Sequence, residues 1–178
     1  HGGQDGLVGK LDSLGARIWQ KHIGGTSEDA INDVTQTSDS GFIIAGYTIS
    51  TDGDVSGRHL DSAKKSNEDA WIVKLDKVGA IQWQKCLGGT ENDYANSIIQ
   101  TSDKDYILCG YTSSSDGDVS GYHDGGDGWV VRLDPIGNIK WQRCLGGGAG
   151  DAVISIIQTA NGRFVLAGAT ESADGDLA

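Results

Sequence analysis

Methionine is absent from this 178-residue chain, and proline occurs once, at Pro135. The missing methionine implies that residue 1 is not a translation start. No apolar run approaches the ~18 residues of a membrane-spanning helix, and no leader segment is visible at the N-terminus. Membrane insertion is therefore not expected. Positive charge is scarce: 14 lysines and arginines face 25 aspartates and glutamates, for a net charge of −11. A surface of that sign repels phosphate backbones and argues against nucleic acid as a partner. Cations, neutral glycans and basic proteins stay open. Cysteines number three, too few for a disulfide framework. Cys86 and Cys144 share one repeat position, where the first unit has His22, and Cys109 stands where Ala45 and Ala167 stand. Equivalent positions on successive units lie too far apart for a bridge, which needs Cα atoms within about 7 Å. Buried free thiols are expected.

What is plentiful is glycine, 28 residues, beside 37% hydrophobic residues. That balance fits a turn-rich β protein and not a disordered chain. The phrase Ile81-Gln-Trp-Gln-Lys-Cys-Leu-Gly-Gly-Thr90 recurs around Trp19 and Trp141, 64 residues earlier and 58 later. Asp-Gly-Asp recurs in step at Asp52, Asp116 and Asp174. Such periodicity marks a repeat architecture whose units bury apolar faces only against their neighbours. The chain reads as one repeat domain, 1–178, with repeats at approximately 5–68, 69–126 and 127–178. The six-residue difference falls in the polar stretch Arg58 to Glu68, which reads as a surface loop. The termini laid end to end resemble the junction Asp116 to Asp127 with two residues missing. Either a longer array has been trimmed in a loop, or one copy adjoins another.

Within a unit, Trp71-Ile-Val-Lys-Leu-Asp76 alternates like a strand with one apolar face. Turns follow at Val78-Gly79, then strands carrying Trp83, Tyr94 to Thr101, and Tyr106 to Tyr111. The last, like Phe42 to Tyr47 and Phe164 to Ala169, is apolar on both faces, which places its sheet between two others. Four strands per unit with sheets face to face predict an all-β β-propeller of four-stranded antiparallel blades, three blades per chain. A β-trefoil is the alternative.

Leu87-Gly-Gly-Thr-Glu-Asn-Asp93-Tyr-Ala-Asn-Ser-Ile-Ile99 followed by Tyr106-Ile-Leu-Cys-Gly-Tyr-Thr-Ser-Ser-Ser-Asp116 resembles the SBBP β-propeller repeat. The Asp-Gly-Asp-Val-Ser-Gly and Trp-Val-Val-Arg-Leu-Asp pieces are similar to surface proteins of bacteria that export by the type IX route. The likeness covers the whole chain and implies a secreted or cell-surface setting, with no assigned activity. Lys10-Leu-Asp12-Ser-Leu-Gly15-Ala-Arg-Ile-Trp19 is also similar to the docking motif of quinoprotein dehydrogenase propellers. There the Asp hydrogen-bonds the turn and the Trp wedges between blades. No counterpart of a quinone pocket is legible.

One loop has the pattern of a metal site. Asp116, Asp118, Ser120 and Asp124 occupy positions 1, 3, 5 and 9 of a Ca²⁺-type loop, with Gly121 at 6 and the carbonyl of Tyr122 at 7. The first unit keeps Asp52, Asp54 and Ser56, but Leu60 takes position 9 and Asp61 falls one place late. The bland alternative is an acidic turn in which aspartates cap backbone amides. Asp29, Asp93 and Asp151 each follow a Gly-Gly segment and read as turn caps. Gly146 to Gly148 lacks the Lys-Ser/Thr of a phosphate loop. The expectation is a non-enzymatic, secreted or cell-surface module for binding, adhesion or scaffolding, with Ca²⁺ as its candidate cofactor. Self-association would complete the ring, and a glycan or protein would be the ligand. The alternative is a lectin or glycan-active enzyme using the loop face, with Tyr47, Tyr111 and Tyr122 stacking on sugars.

Overall fold

The period-two alternation becomes twelve antiparallel strands in the computed structural model, which describes residues 2–60 and 67–177. In chain order they are β1 (Gly6–Leu11), β2 (Arg17–Ile23), β3 (Asp29–Gln36), β4 (Phe42–Thr48), β5 (Asp69–Leu75) and β6 (Ile81–Leu87). There follow β7 (Asp93–Gln100), β8 (Tyr106–Thr112), β9 (Asp127–Leu133), β10 (Ile139–Leu145), β11 (Asp151–Gln158) and β12 (Phe164–Thr170). A 3₁₀ turn at Gly175–Leu177 closes the described chain.

The strands form four separate sheets. β3-β4-β5-β6 and β7-β8-β9-β10 are four-stranded, whereas β1-β2 and β11-β12 are pairs. The all-β antiparallel expectation holds. No sheet closes on itself among the described residues, so the barrel of a trefoil is not formed, and the four sheets do not close into a ring. One expectation needs correction, because the sequence unit is not the sheet. Each sheet takes the last two strands of one unit and the first two of the next. The ladder that crosses the boundary runs without a break from Phe42↔Leu75 to Thr48↔Asp69, and the second sheet repeats it from Tyr106↔Leu133 to Thr112↔Asp127. The chain therefore holds two complete sheets between two halves.

The sheets stack face to face. Ile43 and Ala45 on β4 pack with Ala95 and Ile98 on β7, while Ile44 points the other way, into a cluster with Val8, Ile23 and Trp71. That is why this strand is apolar on both faces: it lies inside its sheet, and a neighbouring sheet covers each side. Beside it β3, β7 and β11, the inner strands, each carry a β-bulge, between Ile31 and Asp33, Ala95 and Ser97, and Val153 and Ser155. The preceding carbonyl turns toward the second strand, where an ideal Cβ on Gly110 would lie 1.8 Å from the Tyr94 oxygen. Gly46 and Gly168 meet the same obstacle at 1.9 and 2.0 Å. The small residue there is a requirement of the bulge.

The Asp-turn-Trp segment is placed alike in all three units. Asp12, Asp76 and Asp134 accept hydrogen bonds from the turn amides of Leu14 and Ala16, Val78 and Ala80, and Ile136 and Asn138, at 2.8–3.0 Å. Trp19, Trp83 and Trp141 lie against Phe42, Tyr106 and Phe164 of the next sheet, with centroids 5.7, 5.9 and 6.5 Å apart. Cys86, Cys109 and Cys144 are buried free thiols, and burial pushes each up to about 12.

Candidate functional site at the loop end of the sheets

The Gly-Gly turns, the Asp-Gly-Asp loops and the N-termini of the inner strands converge at one end of the stack. The Asp that starts each inner strand ties this end together. Asp93 accepts from the Gly89 amide and the Ser114 hydroxyl, both at 2.8 Å, and from the Thr112 hydroxyl. Asp29 repeats the set with Gly25, Ser50 and Thr48, and Asp151 does so with Gly147 and Ser172. Three donors satisfy the carboxylates of Asp29 and Asp93, and two hold Oδ2 of Asp151, which is a capping role.

The loop read as a Ca²⁺ candidate is occupied by protein donors. Asp116 accepts from the Thr90 amide at 2.8 Å and the Thr90 hydroxyl at 2.9 Å, as Asp52 does from Thr26. Asp118 exchanges backbone and side-chain contacts with Gly88, and Asp54 does the same with Gly24. The Ser120 carbonyl and hydroxyl both accept from the Gln142 amide, at 2.8 and 2.6 Å, and Ser56 is held in the same way by Gln84. Gln142 in turn accepts from the Trp129 indole at 2.9 Å. Tyr122 packs against the core, and Asp124 is exposed. No group of three or more His, Cys, Asp and Glu side chains is placed to hold one ion among the described residues. Gly121 and Gly57 do take the left-handed conformation that the sharp turn needs, at φ 81° and 84°. Asp61 lies outside the described residues.

The repeats differ in their aromatic residues between the two complete sheets. Tyr94 stacks on Tyr111 across the β7–β8 ladder at 5.7 Å, and Tyr47 of the preceding sheet meets Tyr94 edge-on at 5.6 Å. The Tyr94 hydroxyl donates to Glu68 at 2.5 Å. Other units carry Ala30 and Ala152 in place of Tyr94, and Ala169 in place of Tyr111. All three rings are partly exposed, so the row offers flat amphipathic surface at a low entropic cost. The sequence singled out Tyr47 and Tyr111 but missed Tyr94 and Glu68. The signal available was their departure from the repeat.

Beside this row lies a titratable cluster. His59 Nδ1 contacts the buried Asp69 at 2.8 Å, and its Nε2 lies 3.7 Å from Asp118. The hydrogen bond to Asp69 raises the His59 pKa. Desolvation raises that of Asp69. Asp93 is pushed up to about 6, first by desolvation and also by the charge of Asp69.

No family model matches the chain. Over 167 residues it is 25% identical to the regulatory protein FlaEY of Caulobacter vibrioides, an alignment that covers 89% of this chain. The chain spans only 17% of that protein's length.

Proposed function

We propose that this chain is a segment of a β-propeller that serves as a non-enzymatic binding or scaffolding module in a secreted or cell-surface protein. The observation that carries the reading is the use to which the repeated polar residues are put. Asp29, Asp93 and Asp151 cap strands, Asp52 and Asp116 hold threonines, and Asp12, Asp76 and Asp134 close turns. Polar groups employed in the same way from one unit to the next are building the frame. Four-stranded sheets stacked face to face, with a Trp between neighbours, fit a propeller. The SBBP-type resemblance points to a secreted setting. The similarity to a stretch of FlaEY fits a module carried within longer proteins, one of which is named for regulation.

A glycan is the second reading, and the Tyr47, Tyr94 and Tyr111 row with Glu68 is the observation that favours it. Aromatic faces beside a carboxylate acceptor suit a sugar's apolar face and its hydroxyls. The two readings part in one experiment. The purified chain is presented to a glycan array and to a panel of glycan and quinone-linked substrates. Ligand capture without turnover supports the module, and loss of glycan signal in Tyr94→Ala identifies the row as the site. Turnover at ordinary enzymatic rates overturns the non-enzymatic reading.

A further inference from the structure

The two half-sheets are complementary halves of one sheet. β1-β2 corresponds to β5-β6 and β9-β10, and β11-β12 corresponds to β3-β4 and β7-β8. Each half presents an edge that its complete counterparts bury. Leu7 and Leu11 are 57% and 59% exposed, whereas Trp71 and Leu75 at the same positions are 1% and 0% exposed. Val165 is 52% exposed, against 0% for Ile43 and Ile107. Among the described residues, six of the twelve large exposed hydrophobic residues lie on these two ends: Leu7, Leu11 and Val34 on one, Ile154, Ile157 and Val165 on the other.

Each end also carries a groove shaped by the missing half. A cavity of about 470 Å³ lies between β1 and β3, lined by Val8, Trp19, Ile31, Val34 and Phe42. Ile31 and Val34 correspond to Ala95 and Ile98, which in the next sheet are covered by Ile43 and Ala45 of β4. The strand that corresponds to β4 is β12, with Val165 and Ala167 at those positions. At the opposite end a cavity of about 240 Å³ is lined by Gly128, Leu145, Val153, Leu166 and Gly168. Gly128 and Leu145 correspond to Ala70 and Leu87, against which Trp129 packs. The strand that would place a side chain there is β1, through Leu7.

We infer that these edges bind each other between two copies of this chain, β12 of one copy pairing antiparallel with β1 of the other at both ends. The inference rests on the propeller reading above and names its partner. The register follows from the complete sheets, where Ile43↔Lys74 and Ile107↔Arg132 are opposed. It sets Val165 opposite Lys10, and Ala167 opposite Val8. Propellers close with about four to eight sheets. Each copy supplies two complete sheets, and two joined ones are added, so two copies make six. The pairing also covers the β1 and β12 edges, and natural proteins rarely leave such edges bare.

The test uses the whole chain. Light scattering is expected to give about 37 kDa, twice the 18.6 kDa of one copy. Val165→Cys combined with Lys10→Cys is expected to cross-link under mild oxidation into a two-copy species that stops at two. The pair Val165→Cys with Gly6→Cys, out of register, is expected to stay largely uncoupled. A ladder of larger species overturns the closed pair in favour of an open filament. A second chain with two copies fused in tandem, carrying Lys10→Cys only in the first copy and Val165→Cys only in the second, separates the remaining outcomes. If the single copy is an 18.6 kDa monomer but the fusion forms an internal cross-link, the propeller reading stands and the second-copy inference falls. In that case the edges belong to further repeats of one polypeptide. If neither closes, both fall.

Discussion

Replacing Gly110 with alanine is expected to cost about 2–3 kcal/mol of stability. The new Cβ would stand 1.8 Å from the Tyr94 carbonyl oxygen and 2.8 Å from its carbon. Both obstacles are backbone, held by the β7–β8 ladder and its bulge, so no rotamer change relieves them. β7 must move away from β8, and that movement loosens Ala95 and Ile98 against the preceding sheet. Overpacking of this kind costs about 1–3 kcal/mol, and a rigid obstacle belongs at the upper end. The gain of roughly 0.4–1 kcal/mol from restricting the unfolded chain offsets part of it. For a chain of this size about 2–4 °C is lost per kcal/mol, so the melting temperature should fall by about 4–12 °C. Gly150→Ala is the control: its nearest neighbour would be Glu171 Oε2 at 3.7 Å, and other units carry Glu28 and Asn92 there. Thermal unfolding followed by circular dichroism reads both. A Gly110→Ala curve within about 1 °C of the parent, or above that of Gly150→Ala, would refute the bulge argument.

Stability should depend on pH through Asp93 and His59. The Asp93 pKa is raised in the fold from 3.8 to about 6, so the native state holds the extra proton and stability falls as pH rises from about 4 to 6. A shift of that size is on the order of 3 kcal/mol, and Asp93→Asn should remove this slope in denaturant titrations. The raised His59 pKa contributes stability that is complete below 6.5 and lost at higher pH, so His59→Gln should flatten the alkaline limb. A slope unchanged in either variant would refute its assignment. Gln142→Ala leaves the buried Trp129 indole unpaired and frees Ser120, so a loss of about 1–3 kcal/mol is expected. The exposed Gln20→Ala should be nearly neutral, and equal losses would contradict the network. Millimolar Ca²⁺ should leave the melting temperature unchanged, because Asp116 and Ser120 already serve Thr90 and Gln142. A rise that Asp118→Ala abolishes would restore the ion site by mass action.

The strands and their turns were legible because alternation is a local property. Trp71 to Leu75 and Tyr106 to Tyr111 could be read from the local order of residues alone. Which strands share a sheet was not legible. In a periodic chain, hydrogen bonding of β4 to β5 and packing of β4 on β7 both present apolar residues at the same spacing. The hint lay in Ile43, Ile44 and Ala45: a strand covered on both faces belongs inside a sheet, with partners on both edges. At the candidate site the glycine at the turn of the Asp116 loop was read correctly. The employment of Asp116 by Thr90, 26 residues earlier, is a long-range contact that loop spacing does not encode. Tyr94 escaped for the same reason, since its partners Tyr47 and Glu68 come from the preceding unit and the inter-unit loop.

Because every complete sheet is shared between consecutive units, the units are interlocked like links of a chain. Pulling the middle unit out would strip two strands from each of two sheets and leave both remnants with bare edges. Its neighbours could not survive such a loss as independent bodies. Heat or denaturant should therefore melt the three units in one transition, unlike solenoids, whose stacked units can fray one at a time from the ends.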